Sequence, residues 1–485
     1  MKNIFFIISF LLIFSCKNPS HFSKSDRPNI ILINVDDLGW KDLGFMGSQY
    51  YETPFLDEFA KQGTVFTNAY ASAANCAPSR ASLFSGLNTP RHGVYTVGSS
   101  ERGDKRTRKL IPAKNKKYLN DSIYTFPEML KSVGYINANF GKWHIGKDPK
   151  TQGIDHNIGG SNKGNPGRNG YFSPYNIDFI KNEKPGEYLT DRLTNEAVDF
   201  IIKNADSPFF ANLSFYSVHT PIQGKKSWIK NYTSKNGING QDNPEYAAMV
   251  SSVDENIGKI LKTLDDLKIA ENTLVIFTSD NGGIRSISNQ YPLKAGKGSY
   301  YEGGIRVPFV LRWPKKIFSG VNNNNISNLD IYPTIQDIID PKNKALTLDG
   351  ISLKNQFKIP SKINRDLFFH FPIYLEAYNK LEDQGRDPLF RTRPGSVIIS
   401  GKWKLHHYFE DEGLELYDLS QDIGESNNLA ELKPDISTKL LNKLNDWREK
   451  SNAIIPNEIN KESFLSVLTI ILLSVIFSVS NACIG

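Results

Sequence analysis

Cys76-Ala77-Pro78-Ser79-Arg80 sets a thiol, a proline and a guanidinium within five residues, at the entry of a stretch whose first turn reads Ser79-Arg80-Ala81-Ser82-Leu83. Cys-x-Pro-x-Arg is the pattern a maturation enzyme reads when it oxidises a cysteine to formylglycine. With 25 prolines in 485 residues, a proline two places after a given cysteine is a chance of about one in twenty, and the arginine lowers it further. As a purely structural residue, Cys76 would be a buried free thiol before a helix. A formylglycine aldehyde hydrates to a geminal diol: one hydroxyl attacks sulfur and displaces an alcohol, and the second, once deprotonated, collapses the covalent ester and expels sulfate. That chemistry needs a cation at the nucleophile, positive charge on the sulfate oxygens and a proton for the leaving alcohol.

The chain offers such groups. Asp36-Asp37 and Asp280-Asn281 supply the hard oxygen donors that Ca²⁺ or Mg²⁺ takes, and there is no Cys/His cluster for zinc. Taken singly, each pair also reads as a turn or a helix cap. Lys142, His144, His219 and Lys297 bring positive charge and proton transfer.

Their positions follow from the elements that precede them. Five continuous apolar runs, Asn29 to Val35, Tyr135 to Phe140, Phe209 to Val218, Leu274 to Ser279 and Val307 to Arg312, read as strands of a parallel sheet buried on both faces. Helical patterns lie between them at Pro54 to Gln62, Phe126 to Val133, Asp191 to Asn204 and Tyr246 to Leu267. The alternation predicts an α/β fold, a large mixed, mostly parallel sheet sandwiched by helices. Asp36-Asp37, Lys142 with His144, His219 and Asp280-Asn281 each follow a strand, at the edge where open α/β sheets bind ligands. A second region from Asp349 reads as an antiparallel meander, Ser396 to Ile399, Trp403 to Phe409 and Leu414 to Leu419, with a helix from Lys433 to Trp447. A basic stretch from Arg102 to Lys117 interrupts the main domain.

The ordered blocks Asn34-Val35-Asp36-Asp37-Leu38-Gly39, Cys76-Ala77-Pro78-Ser79-Arg80, Gly141-Lys142-Trp143-His144, Ser279-Asp280-Asn281-Gly282-Gly283 and Gly296 to Pro308 resemble those of the type I, formylglycine-dependent sulfatases of the alkaline phosphatase superfamily, over residues about 27 to 450. The resemblance implies an alkaline-phosphatase-like catalytic domain at 27–348 and a smaller antiparallel-sheet subdomain at 349–455. It implies Ca²⁺ rather than Mg²⁺, bound by Asp36, Asp37, Asp280 and Asn281 with the matured Cys76. Arg80 would hold the formylglycine hydrate, and Lys142 and Lys297 the sulfate oxygens. His144 would assist collapse, and His219 would face the leaving oxygen. Lys294 is the neighbouring alternative to Lys297. His370 and Arg393 lie where related carbohydrate sulfatases approach the sugar, although a packed histidine and a surface arginine fit them equally. Trp143 reads as core.

The implied activity is hydrolysis of sulfate esters on polysaccharides or oligosaccharides, algal such as ulvan or from host glycans. The implied partners are a sulfated carbohydrate and a formylglycine-generating enzyme. A phosphodiester or phosphonate monoester hydrolase shares the layout, and a noncatalytic glycan-binding lipoprotein on the same fold would have lost ligands. The net charge of +7 suits an anionic substrate, is ordinary for a soluble protein and does not point to nucleic acid. Three cysteines, Cys16, Cys76 and Cys483, make no disulfide framework. Residues 1–16 read as a signal peptide ending at Cys16, a site for lipidation, with plain secretory cleavage the alternative because bulky Phe14 stands where a small residue is usual; both imply an exported protein, and lipidation one at the periplasm, outer membrane or cell surface. The uncharged run 464–480 is at the lower limit for a spanning helix, and membrane attachment, a packed helix and a frame error in the gene model all fit it.

Overall fold

The computed structural model describes residues 27–182, 184–339 and 347–463. The leader with Cys16 and the 464–480 run lie outside the described residues. Among the described residues no helix is long and apolar enough to cross a membrane.

The main sheet has eight strands: β1 (Asn29–Val35), β2 (Thr64–Phe66), β3 (Ile136–Gly141), β4 (His156–Ile158), β5 (Phe209–Phe215), β6 (Thr273–Ser279), β7 (Phe309–Arg312) and β8 (Gly320–Asn322). Their order is β4-β3-β5-β1-β6-β7-β2-β8. From β4 to β6 all pairs are parallel. The fifth predicted strand is a correction: β7 runs antiparallel to both β6 and β2. Burial on both faces gives it the same continuous apolar pattern, so pattern alone does not reveal its direction.

The apolar runs work as predicted because successive side chains feed opposite faces. Ile31, Ile33 and Val35 of β1 join one core cluster, and Ile30 and Leu32 join the other. On the first face lie α1 (Pro54–Lys61), α4 (Leu189–Lys203) and α5 (Pro244–Asp266), through Leu56, Phe59, Leu193, Val250 and Ile257. On the second lie α2 (Cys76–Ser85), α3 (Phe126–Ser132) and α6 (Ile331–Ile339), through Ala77, Phe84, Phe126 and Ile335. Local signals set the helix starts: Pro244 opens α5, and Asn243 Oδ1 accepts from the Tyr246 amide at 3.0 Å. Helix α2 begins at Cys76 rather than at Ser79, because Pro78 falls in the first turn, where its missing N–H costs nothing.

The C-terminal sheet is antiparallel, in the order β9 (Asp366–Phe371), β10 (Gly395–Ser400), β11 (Trp403–Tyr408) and β12 (Gly413–Asp418), and α7 (Pro434–Lys450) covers one face. Leu440 and Leu444 pack there on Ile398, Leu405 and Leu416. The other face presents Phe369, Phe371, Val397 and Ile399 to Tyr70, Tyr95 and Tyr300 of the main domain. Strand β9 is not in the predicted meander.

Candidate active site

The carboxyl ends of β1, β3, β5 and β6 meet the N-terminus of α2 in one buried cluster. β1 lies between β5 and β6 in the sheet, so the loops after these three parallel neighbours open side by side at the strand ends, where α/β sheets bind ligands. Asp37 and His144 both adopt left-handed backbone, with φ of 60° and 69°. Neither is a glycine, so the surrounding structure imposes these turns and aims both side chains inward.

The acidic groups fall into two sets around Cys76. Ligand atoms of Asp36, Cys76 and Asp280 lie within 4.8 Å of one another, as do those of Asp37, Cys76 and His219. Asp280 Oδ1 accepts from the Asp37 amide at 3.2 Å, and Asp37 Oδ1 accepts from Asn281 Nδ2 at 2.8 Å. That bond leaves Asn281 Oδ1 free, and both it and Asp36 Oδ1 are buried without a hydrogen-bond partner among the described residues. Leaving such oxygens unsatisfied is costly. An all-oxygen donor set with orphaned acceptors fits a hard divalent cation. It would be held by Asp36, Asp37, Asp280 and Asn281, with residue 76 alongside.

Cations surround the acids. Lys142 Nζ lies 2.6 Å from Asp36 Oδ2, and Lys297 Nζ 2.7 Å from Asp37 Oδ2. Arg80, fully buried, donates from Nε to Asp280 Oδ2 at 2.7 Å and from one terminal nitrogen to the Lys142 carbonyl at 3.1 Å and to Ser214 Oγ. Its other terminal nitrogen has no hydrogen bond and lies 3.9 Å from Asp36 Oδ1. Burial raises Asp36 well above the usual carboxylate range, against the pull of Lys142, with Asp280 and Asp37 pushing the same way as burial. Burial acts on Asp37 too, but Lys297 and then His219 outweigh it and hold that carboxylate low. The Cys76 thiol is pushed up to about 12 by burial, in spite of Lys142 and Lys297. It is therefore neutral near pH 7 and is no thiolate nucleophile.

His219 Nδ1 sits 2.7 Å from the Thr220 carbonyl, which requires Nδ1 to be the N–H and turns Nε2 to the site, 3.7 Å from Asp37 Oδ2. Burial, then Lys297, lowers its pKa to about 4. His144 is lowered well below 6.5 by burial and by Lys142, and its Nδ1 has no partner. Gly164 lies flat against its ring: an added Cβ would come within 2.3 Å of Cε1.

The structure thus brings together Asp36, Asp37, Cys76, Arg80, Lys142, His144, His219, Asp280, Asn281 and Lys297. Lys294 points elsewhere, 3.9 Å over the Tyr301 ring. Trp143 is core, its ring tilted against Phe84 with centroids 4.4 Å apart and its indole N–H donating to Gln152 Oε1 at 2.9 Å. His370 and Arg393 are not placed at the site with free groups. His370 is 1% exposed, with Nδ1 on Ser396 Oγ at 2.8 Å and Nε2 on the Ile454 carbonyl at 3.0 Å. Arg393 is committed to Glu410 at 2.7 Å and to Asp387. The arginine from this region that reaches the site is Arg391, which sequence reasoning missed. Its guanidinium donates to the Lys297 carbonyl at 2.9 Å and stacks 3.3 Å over Tyr378. No sequence pattern links residues 94 positions apart.

Residues 28–340 match the family model described as Sulfatase, and residues 296–450 match that of N-sulphoglucosamine sulphohydrolase, C-terminal. A sulfatase of Formosa agariphila is 34% identical, over 93% of this chain and 95% of that one. Human N-acetylgalactosamine-6-sulfatase is 32% identical, over 71% of this chain and 68% of its own length. The crystal structure of Ps i-CgsB superposes with a TM-score of 0.70 at 28% identity, covering 87% of this chain and 92% of that chain, and a second structure holds it in complex with k-i-k-neocarrahexaose. With the acids, lysines and histidines of its motifs gathered around Cys76, the chain belongs to the sulfatase family, the hydrolases of sulfuric esters.

Proposed function

We propose that this sulfatase removes sulfate from sulfated carbohydrate chains, with Cys76 matured to formylglycine and Ca²⁺ as its metal. The observation that carries the proposal is the set of unpartnered oxygens on Asp36 and Asn281, beside Lys142 and Lys297, around a cysteine at the first position of α2. A hydrated formylglycine supplies a nucleophilic hydroxyl and a second hydroxyl through which sulfate is expelled. Bound Ca²⁺ supplies charge to the nucleophile and to a sulfate oxygen.

The chain's own residues do the rest. Lys142 and Lys297 hold fixed positive charge where the sulfate oxygens gain negative charge. Asp280 and the Lys142 carbonyl hold Arg80 so that its remaining N–H faces Asp36 and residue 76. His219, with Nδ1–H anchored on the Thr220 carbonyl, has Nε2 to carry a proton to the leaving alcohol. Its low pKa makes it neutral in the free chain at pH 7, and the anionic ester raises its proton affinity on binding. His144 takes a proton in the collapse step, its buried Nδ1 having no other hydrogen-bond partner among the described residues.

Support for a carbohydrate, algal or from host glycans, comes from relatives named for N-acetylgalactosamine-6-sulfate and a neighbour crystallised with an oligosaccharide. Export with a lipid on Cys16 suits a polymer substrate and predicts palmitate labelling that Cys16→Ala abolishes.

The test is co-expression with a formylglycine-generating enzyme, followed by ion chromatography of sulfate released from defined sulfated mono- and oligosaccharides. The tryptic peptide carrying residue 76 should show the aldehyde by mass spectrometry, and Cys76→Ala should be folded and inactive. An active enzyme with an intact thiol would overturn the mechanism. A higher kcat/KM on a matched phosphate ester or phosphonate would overturn the substrate class.

A further inference from the structure

The basic stretch Arg102 to Lys117 divides in two in the folded protein. In its first part the charges are spent within the chain: Arg102 pairs with Glu376 at 2.7 Å, Lys105 with Glu462 at 2.6 Å, Arg106 with Asp104 at 2.6 Å and Arg108 with Glu101 at 3.7 Å. In its second part they are not. Lys114, Lys116 and Lys117 are exposed and make no ion pair among the described residues, and neither does Lys147 across from them. These lysines line one groove of about 890 Å³, together with Tyr118. The groove also carries Asp121 and Asp148, but their carboxylates are engaged locally, Asp121 with Thr151 Oγ1 at 3.4 Å and Asp148 with the Lys150 amide at 3.0 Å.

The groove is joined to the active site by the chain that builds both. Lys147 stands three residues beyond His144, and the Leu119 amide donates to the Ile145 carbonyl at 2.9 Å, pinning the lysine segment to the same loop. Tyr118 Oη accepts from Asn162 Nδ2 at 3.0 Å, while the neighbouring Ser161 carbonyl accepts from the His144 amide at 2.8 Å. Lys117 Nζ lies 5.2 Å from the Tyr118 ring centroid, so a flat aromatic face and an ammonium stand side by side. A sugar ring packs on such a face, and its anionic substituent meets the ammonium. Unpaired like charges repel one another, and a polyanion relieves that repulsion where a neutral ligand does not.

We propose that this groove is a second binding site, for a further sulfated sugar of the same glycan chain whose scissile ester lies at Cys76. The inference rests on the carbohydrate-sulfatase reading. It makes the preferred substrate an oligosaccharide sulfated on more than one residue, held by Lys114, Lys116, Lys117 and Lys147 with Tyr118 under a ring.

The probe is a fluorescein-labelled dextran sulfate oligomer, with neutral dextran of the same length as control and binding read by anisotropy. Binding should be specific to the sulfated oligomer and should weaken as salt is raised. Lys116→Ala/Lys117→Ala/Lys147→Ala should weaken it about tenfold or more, since each exposed charge pair contributes a small factor and three are removed together. Replacement of the same three by arginine should retain it. Lys105→Ala/Arg106→Ala, which removes charge from the paired half, should leave it unchanged. Aryl sulfate turnover should be unchanged in all variants, and equal melting temperatures confirm their folding. Unchanged oligomer binding in the alanine variant, or an equal loss in the Lys105/Arg106 variant, would overturn the proposal. Absence of any sulfate release by the wild-type enzyme would instead overturn the sulfatase reading, because binding is measured without turnover.

Discussion

Asp280 combines two tasks that single substitutions separate from ordinary packing. It would offer an oxygen to the proposed cation, and it holds the buried guanidinium of Arg80 at 2.7 Å. Asp280→Ala should therefore abolish bound metal and also strip the buried Arg80 of its nearest counter-charge, with only Asp36 left at 3.9 Å, at a cost of about 3 kcal/mol. Elemental analysis and thermal melting check both: Ca²⁺ should fall from stoichiometric to background, and the midpoint should drop even with chelator present. A variant that keeps its metal would remove Asp280 from the ligand set. The same scale explains why these residues were legible. A hard-cation site and a buried arginine leave few choices of residue type, and each type is conspicuous when it directly follows an apolar strand.

At the scale of elements, β9 shows where pattern reading stops. Phe369-His370-Phe371 is an alternation, but a histidine between two phenylalanines reads as readily as a substrate contact as it does as a strand. The structure pairs β9 with β10 and closes His370 between Ser396 and the Ile454 carbonyl. Burial, the largest effect, lowers its pKa to about 3, and His92, bonded to Ser82 at 2.9 Å, is likewise lowered to about 3 by burial. Both are neutral in the fold and titrate near 6.5 when unfolded, so the unfolded state binds more protons between these values. Their contribution is fully present above pH 6.5 and is lost as pH falls toward 3, at about 1.4 kcal/mol per pH unit for each group. Urea unfolding from pH 7 to pH 4 should show this slope, and His370→Gln should flatten it. An equal slope in the variant would assign the acid sensitivity elsewhere.

At the scale of the whole molecule, the C-terminal subdomain anchors the loop that carries Lys297. Lys404 of β11 is fully buried between Glu302 at 2.8 Å and Glu425 at 2.9 Å, and Glu302 opens the short helix that follows the Lys297 loop. Arg391 holds the Lys297 carbonyl from the same side. Lys404→Met would leave the buried Glu425 without its cation, while Glu302 keeps Arg306 at 2.9 Å, costing about 3–5 kcal/mol. It should lower the melting temperature and kcat together, since the loop carrying Lys297 loses its anchor. A loss of stability with unchanged kcat would show that the subdomain supports the fold alone.

The sequence by itself determined the scaffold and where its polar groups gather: continuous apolar runs demand strands buried on both faces, and polar residues placed just beyond them collect at one sheet edge. The same reading carried a meander and its covering helix, because turns such as Ser400-Gly401-Lys402 and the apolar period of α7 are local signals. Only the tertiary structure decided that β7 runs antiparallel, that α2 starts at Cys76, and that Arg391 rather than Arg393 reaches Lys297. It alone divided the Arg102 to Lys117 stretch into a paired half and a free half. The strand direction, the reach of Arg391 and the pairs of Arg102 and Lys105 depend on partners far apart in sequence, and such a partner leaves no mark on the residues between.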